Sequence, residues 1–347
     1  MRVAAASVVA VVCGLALLAP PGRYEVDGVS MAPGLLPGDR VESGWFPALD
    51  RLLWPRRHER WILRAPDGSR AIKRVVGLPG ETVSMRDGDL AIGGRTVLTP
   101  PRILAELASP VPEARIGSGT GDAAAGRWQT IVSMPVVLDD AACAPTERRT
   151  LMPVRDVGLA AVIRLQEPPP QASAVRVRVR VDGCVVTWRI KARGRYAVVA
   201  GRLDGHLVGM AWPLSGAAGT SQDSRSCLPP QIPAMWDVAQ PWPDGISADA
   251  ADTPPTLALG WDAVGGSVSP AEANRLIEDV AVWRDILHRP AADGRAAWRL
   301  GPDEFFVLGD FPSASRDSRH WGPLGRRDCE NRAAAAAGKG AGSIKCF

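Results

Sequence analysis

The sequence predicts a mainly β fold, with one apolar N-terminal segment followed by short strands and many turns. Gly 36 and Pro 31 interrupt the 347 residues too often for long helices. Several β-branched runs alternate with polar residues or are bounded by Gly and Pro, the pattern of half-buried and buried strands. Apolar residues at 46% and charged residues at 22% are globular values, and they exclude both a wholly disordered chain and a multi-span membrane protein. The length suits one large domain plus an accessory. A net charge of +4, spread along the chain, is too small an excess to point to nucleic acid, and none is expected as a partner. Cys13, Cys143, Cys184, Cys227, Cys329 and Cys346 contain no Cys-x-x-Cys pair, and His58, His206, His288 and His320 are scattered. No metal site and no cofactor are therefore expected.

The apolar run from Val3 to Ala19 follows Arg2 and is closed by Pro20 and Pro21. It reads as a short membrane span, with a cleaved signal peptide as the rival reading. A retained anchor is favoured, because cleavage near Ala19 would leave only a short stretch before the motif at Tyr24 to Val41. Positive charge at Arg2 sets the N-terminus in the cytoplasm and the body outside, a single-pass protein of the cytoplasmic membrane.

Three segments carry chemistry. In the first, Ser30 lies between Gly28 and the turn Met31-Ala32-Pro33, on a bent backbone suited to presenting a hydroxyl beside free N–H groups. Val-Ser-Met recurs at Val83-Ser84-Met85 and Val132-Ser133-Met134, where it reads as ordinary strand. The second runs from Ala71 to Val83 and sets Lys73 in a β-branched run before a Gly-Leu-Pro-Gly turn. A lysine near pKa 10.4 is only about 0.1% neutral near pH 7.4, so to act as a base it needs apolar burial and a partner serine. The third runs from Phe305 to Gly322, an apolar strand entering a loop in which Ser315, Asp317 and Arg319 can form a hydrogen-bonded, ion-paired turn.

In this order the three segments resemble the signal peptidase I family, membrane-anchored Ser/Lys endopeptidases. The likeness lies in Gly28-Val-Ser-Met-Ala-Pro-Gly-Leu-Leu-Pro-Gly-Asp39, Lys73-Arg-Val-Val-Gly-Leu-Pro-Gly-Glu81, and Gly309-Asp310 through Asp317-Ser-Arg319. The resemblance implies Ser30 as nucleophile, Lys73 as general base, Ser315 as the hydroxyl that orients Lys73, and backbone N–H groups at Ser30 and Gly28 for the oxyanion. It implies Met31, Pro33, Arg74, Gly309, Asp310, Asp317 and Arg319 as structural residues near the site. Gly28 stands where some members carry an additional oxyanion hydroxyl. Phe311-Pro312 replace the Asn and Arg that usually follow Gly-Asp, and Arg57 to Arg64 only loosely match the usual Arg-Gly-Asp-like strand start.

The expected organisation is an anchor over 1–22, a catalytic core over 23–100 and 301–325, an inserted β-rich accessory domain over 101–300, and a disordered tail over 326–347. Within the insert, Val175 to Val181 alternates Val with Arg, Asp182-Gly183 makes a hairpin turn, and Cys184 to Ile190 returns. Further strands are expected at Val157 to Leu165, Tyr196 to Ala200 and His206 to Trp212, giving a sheet or small sandwich. A helix starting at Ser269-Pro-Ala-Glu272, with Leu276, Val280, Trp283 and Leu287 on one stripe, is expected to end the insert. Trp45, Phe46, Leu52, Leu53 and Trp54 read as an apolar insertion suited either to the bilayer or to the core. The function expected is cleavage of signal peptides from exported precursors through an acyl-enzyme, with the bilayer as a second partner and no ligand assigned to the insert. The alternative is a diverged, catalytically weak or inactive homologue acting as a membrane-anchored binding or scaffold protein through its insert.

Overall fold

The structure, a computed structural model, describes residues 22–43, 53–118, 128, 130–139, 151–165, 174–215, 227–243, 254–264 and 277–335. The chain divides into two compact units, one from Met1–Thr96 and His288–Gly342, the other from Val97–Ala142 and Glu147–Leu287. No helix among the described residues is long and apolar enough to cross a membrane. The expected anchor lies outside those residues, as do Trp45, Phe46 and Leu52.

The first unit begins with β1 (Arg23–Glu25), β2 (Arg40–Ser43), β3 (Arg60–Arg64), β4 (Arg70–Gly77), β5 (Thr82–Arg86), β6 (Asp89–Ile92) and β7 (Arg95–Thr96). The second unit opens with helix α1 (Pro101–Leu107), β8 (Ser109–Pro110), β9 (Arg115–Ser118) and β10 (Thr130–Ser133). It continues through β11 (Val157–Leu165), β12 (Ala174–Val181), β13 (Cys184–Ile190), β14 (Gly194–Leu203), β15 (His206–Pro213), β16 (Val238–Pro241), β17 (Leu257–Val264) and β18 (Ile277–Arg284). The chain then completes the first unit with β19 (Ala297–Arg299), β20 (Glu304–Leu308), helix α2 (Ser318–Trp321), β21 (Leu324–Gly325) and β22 (Cys329–Ala335). The mainly β expectation therefore holds.

In the first unit a seven-stranded sheet runs β1-β2-β22-β3-β4-β20-β21, and a four-stranded sheet runs β19-β5-β6-β7. β20 shows why a continuous apolar run suits its place. Phe305 and Val307 enter one buried cluster with Trp61, Leu63 and Val75, while Phe306 and Leu308 enter another with Val83, Trp298 and Leu300. A strand buried on both faces has no polar alternation to show. The expectation of a disordered tail from 326 is corrected as far as Ala335. Residues 326–328 form a short 3-10 turn, and β22 is inserted between β2 and β3, with Val41 opposite Ala335 and Cys329 opposite Leu63. An alanine-rich segment carries no strand signal of its own, and here Ala333 to Ala335 pair with β2 while Cys329 to Arg332 pair with β3. The residues beyond Ala335 lie outside those described.

In the second unit a five-stranded sheet, β13-β12-β17-β10-β9, and a six-stranded sheet, β16-β15-β14-β11-β18-β8, share one apolar cluster. Val177 and Val179 of β12, Leu259 of β17, Leu159 and Ile163 of β11 and Val198 of β14 all enter it. The other face of the six-stranded sheet packs Val199, Met210 and Trp283 against Leu104 of α1 and Leu228. Two-residue turns with positive φ at both positions join four hairpins of the molecule, at Asp87-Gly88, Gly93-Gly94, Asp182-Gly183 and Asp204-Gly205. The twist of such turns matches that of the strands they join, which is how the abundant Gly and Asp are used.

The helix expected near the end of the insert is corrected. Ile277–Arg284 is a strand paired with β11, and Ser269 to Leu276 lie outside the described residues. The register slips between Val162 and Ile163, leaving Glu278 as an extra residue in β18. Past the bulge the register is unbroken, with Val280 packed against the cluster shared by the two sheets and Trp283 on the opposite face, so their apparent helical spacing comes from a strand buried on both faces. Trp283, fully buried, fills a trough where Gly158 and Gly201 lack side chains. A Cβ on Gly201 would lie 2.5 Å from the indole and 2.8 Å from the Gly158 Cα. Gly201→Ala should therefore destabilise the protein by about 1–3 kcal/mol, seen as a lowered urea midpoint; an unchanged midpoint would refute this account of the trough.

Candidate functional site

Ser30 sits in a loop closed on itself. Val26 N–H donates to the Asp39 carbonyl at 2.9 Å, Gly38 N–H to the Val26 carbonyl at 2.7 Å, and Leu36 N–H to the Asp39 carboxylate at 2.8 Å. Val26, Met31, Leu35 and Val41 are buried together, so the residue after the serine anchors the loop in the core. Pro33 is half-buried, while Gly28 is exposed, and a Cβ there would meet nothing within 4 Å. The Ser30 carbonyl accepts the Phe311 N–H at 3.0 Å, which ties the loop to the third segment.

Lys73 is 3% exposed in β4, opposite Trp61 of β3, and its Nζ lies 2.6 Å from Ser30 Oγ. Burial lowers its pKa from 10.5 to about 8, with the carboxylates of Asp317 and Asp310 acting in the opposite direction and Arg319 adding to the lowering. The expected pair, Ser30 and Lys73, is thus brought within hydrogen-bond distance.

Around it stand two buried guanidinium–carboxylate pairs. Arg74 binds Asp310 through both arms, Nε to Oδ1 at 2.8 Å and NH2 to Oδ2 at 2.6 Å, and its NH1 donates to the His58 carbonyl at 2.8 Å. Arg319 holds Asp317 through Nε and NH2, both at 2.8 Å, and reaches the Pro312 carbonyl at 2.7 Å. Asp317 also caps α2 by accepting the Arg319 N–H at 3.2 Å. It accepts as well from Gly309 N–H at 3.1 Å and from the Ser315 hydroxyl at 2.7 Å. Burial works to raise the Asp317 carboxyl, but its partners, led by Arg319, win and hold it below the usual range. The hydrogen bond of Ser315 therefore goes to Asp317, and Ser315 bears on Lys73 through the carboxylate it contacts. Gly309 is required by close approach, since a Cβ there would lie 2.5 Å from the Ser30 carbonyl oxygen and 2.6 Å from Ser315 Cβ.

Sequence reasoning missed three supports. The Phe311 N–H was read only as a departure from the family pattern, yet a backbone donor does not depend on its side chain. Ser318, fully buried, accepts the Val307 N–H at 3.0 Å and fastens α2 to β20; its place beside Asp317 was the available signal. Arg57, in the loosely matching segment, pairs with Glu81 at 2.6 Å and donates to the Val76 carbonyl. In the second unit, the arginine face of β12 is occupied by its own neighbours. Arg178 and Arg180 lie over the Trp128 ring at 5.3 and 4.9 Å, and Arg176 and Arg178 approach Asp262 at 3.6 and 3.4 Å. For a cation, that unit offers the buried Asp156 and Asp204, whose carboxylates accept N–H bonds from Asp204 and Thr99, both at 2.6 Å. Burial and the Asp156 charge raise the Asp204 carboxyl above the usual range.

The family described as "Signal peptidase, peptidase S26" matches residues 1–119, so the third segment lies outside its span. "Signal peptidase I V" of Bacillus subtilis (strain 168) is 36% identical over 77 residues, covering 22% of this chain and 45% of that relative. The chain thus spans less than half the length of the curated relative it matches. Both matches support the signal peptidase I family for this chain.

Proposed function

We propose that the protein is a membrane-anchored serine endopeptidase that removes signal peptides from exported precursors. The single observation that carries the reading is the 2.6 Å approach of a buried, pKa-lowered Lys73 amine to the Ser30 hydroxyl. A neutral Lys73 takes the Oγ proton as Ser30 attacks the scissile carbonyl, and the developing oxyanion faces the Ser30 N–H, for which the described residues hold no acceptor. Collapse expels the amine of the mature chain, which takes the proton back from Lys73 and leaves an ester on Ser30. Lys73 then removes a proton from water, which attacks the ester and releases the signal peptide. Ser315 and Asp317 keep the amine in place, and the Arg74–Asp310 pair stiffens the strand that carries it. Backbone donors at Ser30 and Gly28 carry the oxyanion, since Gly28 brings no hydroxyl.

In this reading residues 1–22 are the anchor, with the N-terminus cytoplasmic and the catalytic part outside. Residues 23–100 and 301–325 form the core, and 101–300 an inserted accessory domain. By family resemblance the substrates carry small residues at −1 and −3.

Full-chain protein in detergent should cleave a precursor bearing an Ala-x-Ala site, and Ser30→Ala or Lys73→Ala should each lower kcat by a factor of at least about 10³. Wild-type protein inert on several precursors would overturn the reading and favour the diverged scaffold. The rate should follow deprotonation of Lys73, rising about tenfold per pH unit below pH 8 and levelling above it; a flat profile from about pH 6 to 9 would exclude Lys73 as the base.

Stability should run against activity at the same residue. The folded protein disfavours the charged amine, so the unfolded chain binds the extra proton between about pH 8 and 10.5, and this penalty is full below pH 8 and fades as pH rises through that window. Lys73→Met should therefore be more stable than wild type at pH 7 by on the order of 2–3 kcal/mol in urea unfolding, the gain shrinking toward pH 10.5. A variant less stable than wild type at pH 7 would contradict the buried-amine account.

A further inference from the structure

Apart from Ser30 and Lys73, the first unit carries a pocket of about 420 Å³ lined by Arg64, Arg70, Arg326, Arg327, Cys329 and Glu330. Setting Arg326 aside as a wall, Arg64, Arg70 and Arg327 against the one carboxylate of Glu330 leave two positive charges in excess. Glu330 spends one oxygen on Arg64 at 2.9 Å and the other on Arg70 at 2.8 Å, and the two arginine side chains remain 57% and 58% exposed. Register explains the cluster, because Arg64 and Arg70 are partners at the β3–β4 turn and β22 lies alongside β3. Arg326 forms a fixed wall, its guanidinium 5.4 Å over the Trp61 ring and its arms on the Cys329 carbonyl at 2.9 Å and the Leu53 carbonyl at 2.6 Å.

That last bond joins the pocket to an apolar shelf. Leu53 and Trp54 are 47% and 51% exposed, and with Trp61 and Leu78 they form the apolar side of a second hollow of about 350 Å³, which Arg56, Glu59 and Arg332 also line. A diffuse basic surface would attract any anion, but a concave cluster of forked donors fits the oxygens of a phosphate. An exposed tryptophan and leucine directly beside it suit a ligand that is apolar next to its charge.

We propose that these adjoining hollows bind one anionic phospholipid, its phosphate in the arginine pocket and its glycerol and upper acyl carbons on Leu53 and Trp54. A zwitterionic lipid brings its own cation and leaves the excess charge unmatched, whereas phosphatidylglycerol offsets it. The site does not depend on the Ser30 and Lys73 reading.

The test is native mass spectrometry of the full chain from an uncharged detergent, titrated with phosphatidylglycerol or phosphatidylcholine, with inorganic phosphate as competitor. Phosphatidylglycerol should bind at least about tenfold tighter than phosphatidylcholine, and Arg70→Gln with Arg327→Gln should erase that preference. Arg70→Lys with Arg327→Lys, which keeps the charge but not the forks, should retain only part of it, between wild type and the glutamine pair, separating recognition from damage to the fold. Trp54→Ala should weaken both lipids while keeping the preference for the anion. Equal binding of the two lipids, or a preference that survives loss of the arginines, overturns the proposal. Displacement by phosphate at concentrations equal to the lipid's would also overturn it, making the pocket a site for free anions. None of these readings uses precursor cleavage, so they stand or fall apart from the dyad.

Discussion

Burial of an amine governs the arrangement around Ser30 and Lys73. Lys73 is placed where water cannot hydrate its charge, and the protein meets that cost by leaving it easy to deprotonate and by surrounding it with groups that are already satisfied. Had Asp317 or Asp310 been unpaired, either would have drawn the proton onto Lys73 and kept it there. Each is instead held by its own arginine, Arg319 or Arg74, so the field at Nζ is a balance in which desolvation prevails. The two ion pairs are better understood as a means of sparing Lys73 from strong carboxylates than as sources of stability.

How much of this was legible in the sequence depended on whether the signal was local. The hairpin of β12 and β13 is written in alternation and in Asp182-Gly183, and the strands Val157 to Leu165 and His206 to Trp212 are equally plain. Ser30, Lys73 and the Asp317 loop were found because motif order carries information that composition lacks. Two elements were not legible. β18 reads as a helix because both its faces are buried, Val280 on one and Trp283 on the other, a placement fixed by its pairing with β11. β22 reads as disordered because its alanines show no strand preference of their own and are placed by pairing with β2, after Cys329 to Arg332 have paired with β3.

The bonds around Ser315 were hidden for a different reason. A serine beside an aspartate and an arginine in a loop has many ways to satisfy itself, and only the fold decides that its hydroxyl faces Asp317. Likewise the value of Gly309 comes from what lies against it, the Ser30 carbonyl and Ser315, both distant in sequence from the strand that positions it.

The position of β22 has a temporal meaning. Ser30 and Lys73 are made early, but the sheet that carries them has a gap between β2 and β3 that only Cys329–Ala335 fills, and Phe311, which holds the Ser30 carbonyl, also comes after the whole second unit. Chains emerge from the N-terminus onward, and contacts of such long separation close slowly. A nascent chain therefore holds Ser30 and Lys73 as unassembled parts until nearly all of the described sequence has been made, and the pair cannot be set in place before then.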